Sequence, residues 1–298
     1  MPNAVIVDVV RTAGGRRNGV LSGWHPVDLA AEVLMALQKR NNLDPSLVDD
    51  VIMGCVMQVG AQGLNIGRNA VLAAGWPDSV PATTIDRQCG SSQQAYTFAA
   101  QGVMAGAYDV VVAAGVEEMS LVPMGASVSK GVGFPFTEGM NDRYIDQGGL
   151  VPQGISAEMI ADQWGLSRED LDAFGARSQQ FAERARDEGR FDNEIIPVQG
   201  RRRDKETGEV TIEDAPVTQD EGIRPGTTAE GLAKLKPAFK PDVGKVTAAN
   251  SSQITDGASA ALIMSEEKAA ELGLTPRARF HAFSLAGVNP VTMLTGPI

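Results

Sequence analysis

Short apolar runs alternate with helix-period segments through residues 4–115, and no other feature of the chain limits its fold as strongly. Residues 4–10 are valine-rich and too short for a helix, so they read as a buried parallel strand. Residues 26–37 place apolar side chains at helical spacing behind Pro26, which suits a first helical turn. Residues 51–57 read as a second buried strand, and 65–74 as a helix closed by Gly75-Trp76-Pro77. Residues 82–88 read as a third strand, 91–104 as a helix of small residues, and 109–115 as a fourth strand. Strands alternating with helices imply an α/β architecture, a parallel-rich sheet with helices on both faces.

The pattern changes near Glu117. Residues 119–155 are rich in Gly, Met, Pro and Ser and keep no clean period. A helical pair is expected over 156–189, its second helix starting at Ser167-Arg168-Glu169-Asp170. The charged stretch 201–209 reads as a turn between two short strands around Thr207-Gly208. Strand and helix return at 259–264 and 266–272, and 278–286 starts another strand. The expected domains are 1–118 with 251–275, an inserted region over 119–250, and the start of a further domain at 276–298.

With 298 residues, 43% of them apolar and 21% charged, the chain can bury a core of that size. Its net charge of -11 argues against nucleic acid or an anionic membrane surface as partner. No basic start with a cleavage box and no membrane-length apolar run is present, so a soluble cytoplasmic protein is expected. Two cysteines, Cys55 and Cys89, without Cys/His clustering, argue against a disulfide framework or a metal site.

Cys89 carries the chemistry. In Arg87-Gln88-Cys89-Gly90-Ser91 a strand runs into Cys-Gly and a helix of small residues begins at once. That puts the sulfur over free backbone N–H groups at the positive end of a helix dipole, and both stabilise a thiolate. Gly90 and the serines leave room for a ligand to approach the backbone. The alternative is a small buried hydrophobe, which is the reading for Cys55 in mid-strand.

Four ordered motifs then resemble the thiolase family across nearly the whole chain. They are Val10-Arg11-Thr12-Ala13 before a Gly-rich turn, Gln88-Cys89-Gly90-Ser91, Gly115-Val116-Glu117-Glu118-Met119-Ser120, and a segment from Thr247 through Asn250, Ser252 and Asp256-Gly257-Ala258. The nearest resemblance is to degradative 3-ketoacyl-CoA thiolases of the lipid and steroid type. It implies a thiolase-like fold of two similar halves with a loop domain inserted in the first. It also implies a CoA-dependent acyltransferase that works through an acyl-cysteine, either by thiolytic cleavage of 3-ketoacyl-CoA or by the reverse Claisen condensation. Cys89 would be the nucleophile, and its N–H would help hold a thioester oxyanion. Coenzyme A would be a substrate, with no permanently bound cofactor, and the protein a homodimer or homotetramer.

By the same resemblance Arg224 would meet the adenine and phosphate end of CoA, Leu235 and Phe239 would line it, and Ala248 and Ser252 would flank the pantetheine arm. Asn250 and Asp256-Gly257 read as turn-fixing residues. Pro152 stands where short-chain members carry a histidine. The family's Gly-His-Pro, Cys-x-Gly and Asn-Glu-Ala-Phe motifs are absent from these residues, and neither His25 nor His281 is expected to replace them. The expectation is therefore an enzyme by family whose second catalytic half is missing from this chain, so that these residues alone are expected to lack full activity. The alternatives are a non-catalytic CoA-binding or oligomerisation module and a ketosynthase-like condensing enzyme.

Overall fold

The computed structural model describes residues 2–128 and 133–298; residues 129–132, within the expected insertion, lie outside them. In chain order the elements begin with β1 (Ala4–Arg11), β2 (Gly15–Arg16), α1 (Pro26–Asn41), β3 (Asp50–Gly54), α2 (Ile66–Ala73), β4 (Ala82–Ile85), α3 (Ser91–Met104) and β5 (Val110–Glu118). Then come α4 (Glu138–Asp142), α5 (Gln153–Gln163), α6 (Arg168–Asp187), β6 (Val198–Arg203), β7 (Val210–Val217), α7 (Ala229–Leu232), β8 (Thr255–Ser265), α8 (Glu266–Glu271) and β9 (Ala278–Arg279). The chain forms two compact units, 2–127 with 191–222 and 254–283, and 128–190 with 223–253 and 284–298. Residues 191–222, inside the insertion by sequence, thus fall in the first unit.

The first unit is built on a mixed sheet of order β4-β3-β5-β8-β1-β9, with β2 paired to β8. β3 runs parallel to both β4 and β5. β8 is antiparallel to β5 and β1, and β9 is antiparallel to β1. The expected parallel setting of β1 is therefore corrected. A strand buried on both faces gives the same continuous apolar run whichever way its neighbours point, so composition did not carry the direction.

Alternation along the strands divides the core in two. Val51 and Met53 of β3, Val112 of β5, and Leu262 and Met264 of β8 face one cluster with Leu29, Leu34 and Leu37 of α1 and Ile66 of α2. Ile52, Val111, Ala113, Ala261 and Ile263 face the other, against Ala95, Ala99 and Val103 of α3. Helices thus cover both faces. α1 starts at Pro26, its His25 cap accepting from the Val27 N–H through Nδ1, and ends at Asn42 in the left-handed region.

Several strands end differently from expectation. β3 stops at Gly54 and β4 at Ile85, each three residues early, while β5 runs on to Glu118 and β8 starts at Thr255. Of 278–286 only Ala278–Arg279 pairs. Apolar residues remain after Gly54, whereas Asp86-Arg87-Gln88 follow Ile85, and at both places the backbone leaves the ladder to form the site described below.

The second unit is helical. Ser167 and Asp170 form a reciprocal capping box at the start of α6, as expected. Arg168 pairs with buried Asp172 at 2.7 Å and donates to the carbonyls of Leu232 and Leu235, both at 2.9 Å, fastening the α7 segment to α6. The buried Glu158 of α5 accepts from the backbone N–H groups of Lys245 and Val246. Among the described residues no helix is long and apolar enough to cross a membrane.

Candidate active site

A cavity of about 460 Å³ opens in the first unit at the C-terminal ends of β3 and β5, with Cys89 on its wall. The chain reaches Cys89 through a tight turn in which the Gly90 N–H donates to the Arg87 carbonyl at 2.7 Å. Ser91 ties the turn again, its Oγ accepting from the Arg87 N–H and donating to the Arg87 carbonyl, both at 3.1 Å. Cys89 itself has φ 59°, a left-handed conformation that costs a non-glycine residue roughly 1–2 kcal/mol. The turn leaves Cys89 exposed. Gly90 is the N-cap of α3, and no side chain caps the helix, so its first N–H groups point toward the turn. Among the described residues the Cys89 N–H has no acceptor either.

Two glycines fix the height of this turn over the sheet. Gly54 of β3 and Gly115 of β5 are register partners. A Cβ on Gly54 would strike the backbone of Ser91 and Ser92, and one on Gly115 would strike the Ser92 side chain. The start of α3 therefore rests on bare backbone. A glycine inside an apolar strand marks such a close approach, so the signal was present at Gly54, though not its meaning.

Cys55 lines the same cavity but is 1% exposed. Burial first, then the charges of Glu117 and Asp86, push its thiol up to about 12. The buried-hydrophobe reading of Cys55 holds for its packing, while its place beside Cys89 was not legible from sequence. Glu117, quoted in a motif without a role, accepts from the N–H groups of Val56 at 2.8 Å and Met57 at 3.2 Å and from Gln62 Nε2 at 2.8 Å. Next to it the carboxyl of Glu118 is fully buried and meets the Asp256 carboxyl, to which it can donate when protonated. Burial, then the neighbouring Asp256 charge, push it up to about 10. Asp256 accepts from the Ser120 N–H and hydroxyl, so the fourth motif's Asp256-Gly257 is tied to the third's Ser120. His25 caps α1, and neither it nor His281 lines a described cavity.

The second unit holds a separate cavity of about 490 Å³, lined by Arg224, Leu235, Ala248 and Ser252. Four of the five expected CoA residues thus share one surface. Phe239 is not on it; its ring packs over Gly154, where any Cβ would collide with it. Asn250 fixes the neighbouring turn, accepting from the Thr247 N–H at 2.8 Å and donating to the Lys245 carbonyl at 3.2 Å.

The family description "Thiolase, N-terminal domain" matches residues 4–267. A steroid 3-ketoacyl-CoA thiolase, FadA6, of Mycobacterium tuberculosis is 45% identical over 304 residues, covering 100% of this chain and 70% of that protein. A 3-ketoacyl-CoA thiolase of Aliivibrio fischeri is also 45% identical, covering 100% of this chain and 74% of that protein. The crystal structure of a Bacillus anthracis acetyl-CoA acetyltransferase superposes with a TM-score of 0.81 at 37% identity, covering 98% of this chain and 73% of that one. The matched residues run from β1 through the Cys89 turn to α8, and on that extent the chain belongs to the thiolase family.

Proposed function

We propose that this chain carries the acyl-accepting and CoA-binding part of a CoA-dependent acyltransferase acting on 3-ketoacyl-CoA, with Cys89 as the acyl acceptor. The observation that carries the reading is the Cys89 turn: a left-handed cysteine, exposed on a cavity wall, at the uncapped start of α3. Relatives named 3-ketoacyl-CoA thiolase support the substrate class.

In the degradative direction the Cys89 sulfur attacks the 3-keto carbon, a carbon–sulfur bond forms and the bond between C2 and C3 breaks. The proton given up by the Cys89 thiol ends on the released acetyl-CoA carbanion. The thiol of a second CoA then attacks the acyl-cysteine, restoring Cys89 and releasing an acyl-CoA two carbons shorter. Claisen condensation is the reverse. Dividing the reaction at a thioester replaces one hard step by two easier ones. The free Cys89 N–H and the first turn of α3 supply donors for an oxyanion formed beside the sulfur.

Arg224, Leu235, Ala248 and Ser252 are the CoA-binding candidates of the second unit, Arg224 for phosphate or adenine. Phe239 supports that segment by packing against Gly154. Coenzyme A is used as substrate rather than held as a cofactor, in a cytoplasmic homo-oligomer.

The test is to mix the protein with a 3-ketoacyl-CoA, quench in acid and map adducts by peptide mass. The expected result is one acyl group on the Cys89 peptide, absent in Cys89→Ser and retained in Cys55→Ser. An adduct confined to Cys55, or none at all, would overturn the reading.

A further inference from the structure

The Cys89 cavity contains a second thiol, and the fold treats the two differently. Cys89 is exposed, whereas Cys55, the first residue after β3, is buried among the core side chains. The segment that follows β3 is held in an unusual way. The β3–β5 ladder ends at the Gly54–Gly115 pair, and beyond it the backbone of residues 55–57 peels away from β5. Cys55 keeps a backbone bond to the Ile85 carbonyl at 3.0 Å, but the N–H groups of Val56 and Met57 have lost any strand partner. The Glu117 carboxylate takes both of them.

The same carboxylate accepts from Nε2 of Gln62, which is fully buried. That Nε2 also reaches the Met57 carbonyl at 2.9 Å and lies 3.4 Å from the Cys55 sulfur. The Gln62 Oε1 accepts from the Glu118 N–H at 2.7 Å, fixing which way the amide points. Every polar neighbour of Glu117 in this network is therefore a donor. A carboxylate presents only acceptors and satisfies all three. An amide at 117 would turn an N–H toward at least one donor and leave buried polar groups unpaired.

We propose that Glu117 is a positioning residue that selects which cavity thiol can accept an acyl group, by clamping the backbone of residues 56–57 so that Cys55 stays buried and Cys89 alone is accessible. This rests on the acyl-transfer reading of the cavity. The charge of Glu117 acts in the same sense as the clamp, because it opposes formation of a Cys55 thiolate. Access and reactivity of the wrong thiol are thus suppressed by one side chain.

The experiment compares wild type, Glu117→Gln and Glu117→Asp, each shown to be folded by circular dichroism. Both cysteines are alkylated with iodoacetamide and their rates resolved by peptide mass. In Glu117→Gln the Cys55 rate should rise about ten-fold or more while the Cys89 rate changes by less than about three-fold, the signature of a local opening. Glu117→Asp keeps the charge and both acceptors and should restore most of the protection. Leu262→Ala, a core change far along β8, separates this from general loosening: it should not favour Cys55 over Cys89. Equal Cys55 protection in wild type and Glu117→Gln overturns the proposal. If Glu117→Gln does not fold, hydrogen exchange on wild type decides: the Val56 and Met57 amides should exchange as slowly as those of β3, and loop-like exchange overturns the clamp. Treatment with a 3-ketoacyl-CoA should add an acyl group on Cys55 in Glu117→Gln only. A wild type that takes no acyl group counts against the functional reading, while the alkylation rates still decide the role of Glu117.

Discussion

Arg224 presents an exposed side chain to the second unit's cavity, while its own N–H is held by the Gln179 side chain at 2.8 Å. A guanidinium held at its backbone and, among the described residues, without a partner at its head suits a phosphate or a stacked purine. Arg224→Ala should weaken CoA binding by about 1–2 kcal/mol, roughly ten-fold, read by calorimetry on folded protein. Unchanged affinity would remove Arg224 from the site. At this scale the sequence showed Cys89, because a cysteine between a strand and a small-residue helix is a local pattern. It did not show Glu117, Gln62 or the Gly54–Gly115 pair as a unit. Their roles lie in contacts between segments far apart in the chain, and Glu117 and Glu118 look alike until one is seen accepting three hydrogen bonds and the other buried against the Asp256 carboxyl.

The element that positions Cys89 is α3, seated on the sheet through bare backbone at Gly54 and Gly115. Gly115→Ala should push the helix start off the sheet and destabilise the fold by about 1–3 kcal/mol, the usual penalty for overpacking. The check is a urea midpoint together with the Cys89 alkylation rate. A midpoint shift with an unaltered rate would mean that the glycine serves stability alone. Helix positions were the more legible elements: α3 lies over 91–104 as expected, and the Ser167 cap of α6 follows from four consecutive residues. Strand ends were less legible. The apolar run through 51–57 continues after pairing stops at Gly54, because Cys55 and Met57 stay buried although they have left the ladder.

Across the whole molecule the buried Glu118 carboxyl sets a pH dependence. Its pKa is about 10 when folded, against 4.5 as the ordinary value. Between those values the folded chain keeps a proton that the unfolded chain releases. Its stabilising effect is therefore fully present below the lower value and is lost as pH rises toward the upper one, at no more than about 1.4 kcal/mol per pH unit. Glu118→Gln carries a neutral side chain at every pH and should flatten this decline, so the difference in Tm between pH 6 and pH 9 should be smaller in the variant than in wild type. A second expectation concerns assembly. β4 pairs with β3 on one side only, leaving an unpaired sheet edge next to the Cys89 turn. A second copy docking on that edge would give a homodimer, so light scattering should show at least twice the monomer mass. A clean monomer would assign the edge to another role.

β5 lies at the centre of the sheet, but its neighbours come from opposite ends of the sequence. β3 is made before it, whereas β8 follows only after residues 119–254 have been synthesised. While the chain is being made, the valine-rich edge of β5 must wait through the whole helical unit with no strand to close it. Pairings of such long sequence separation form slowly, because the closure entropy is spent before the contact is gained. The emerging polypeptide therefore passes through a stage in which a strand destined for the core is open on one side, the stage at which a holdase chaperone has most to bind and misassociation between nascent chains is most competitive.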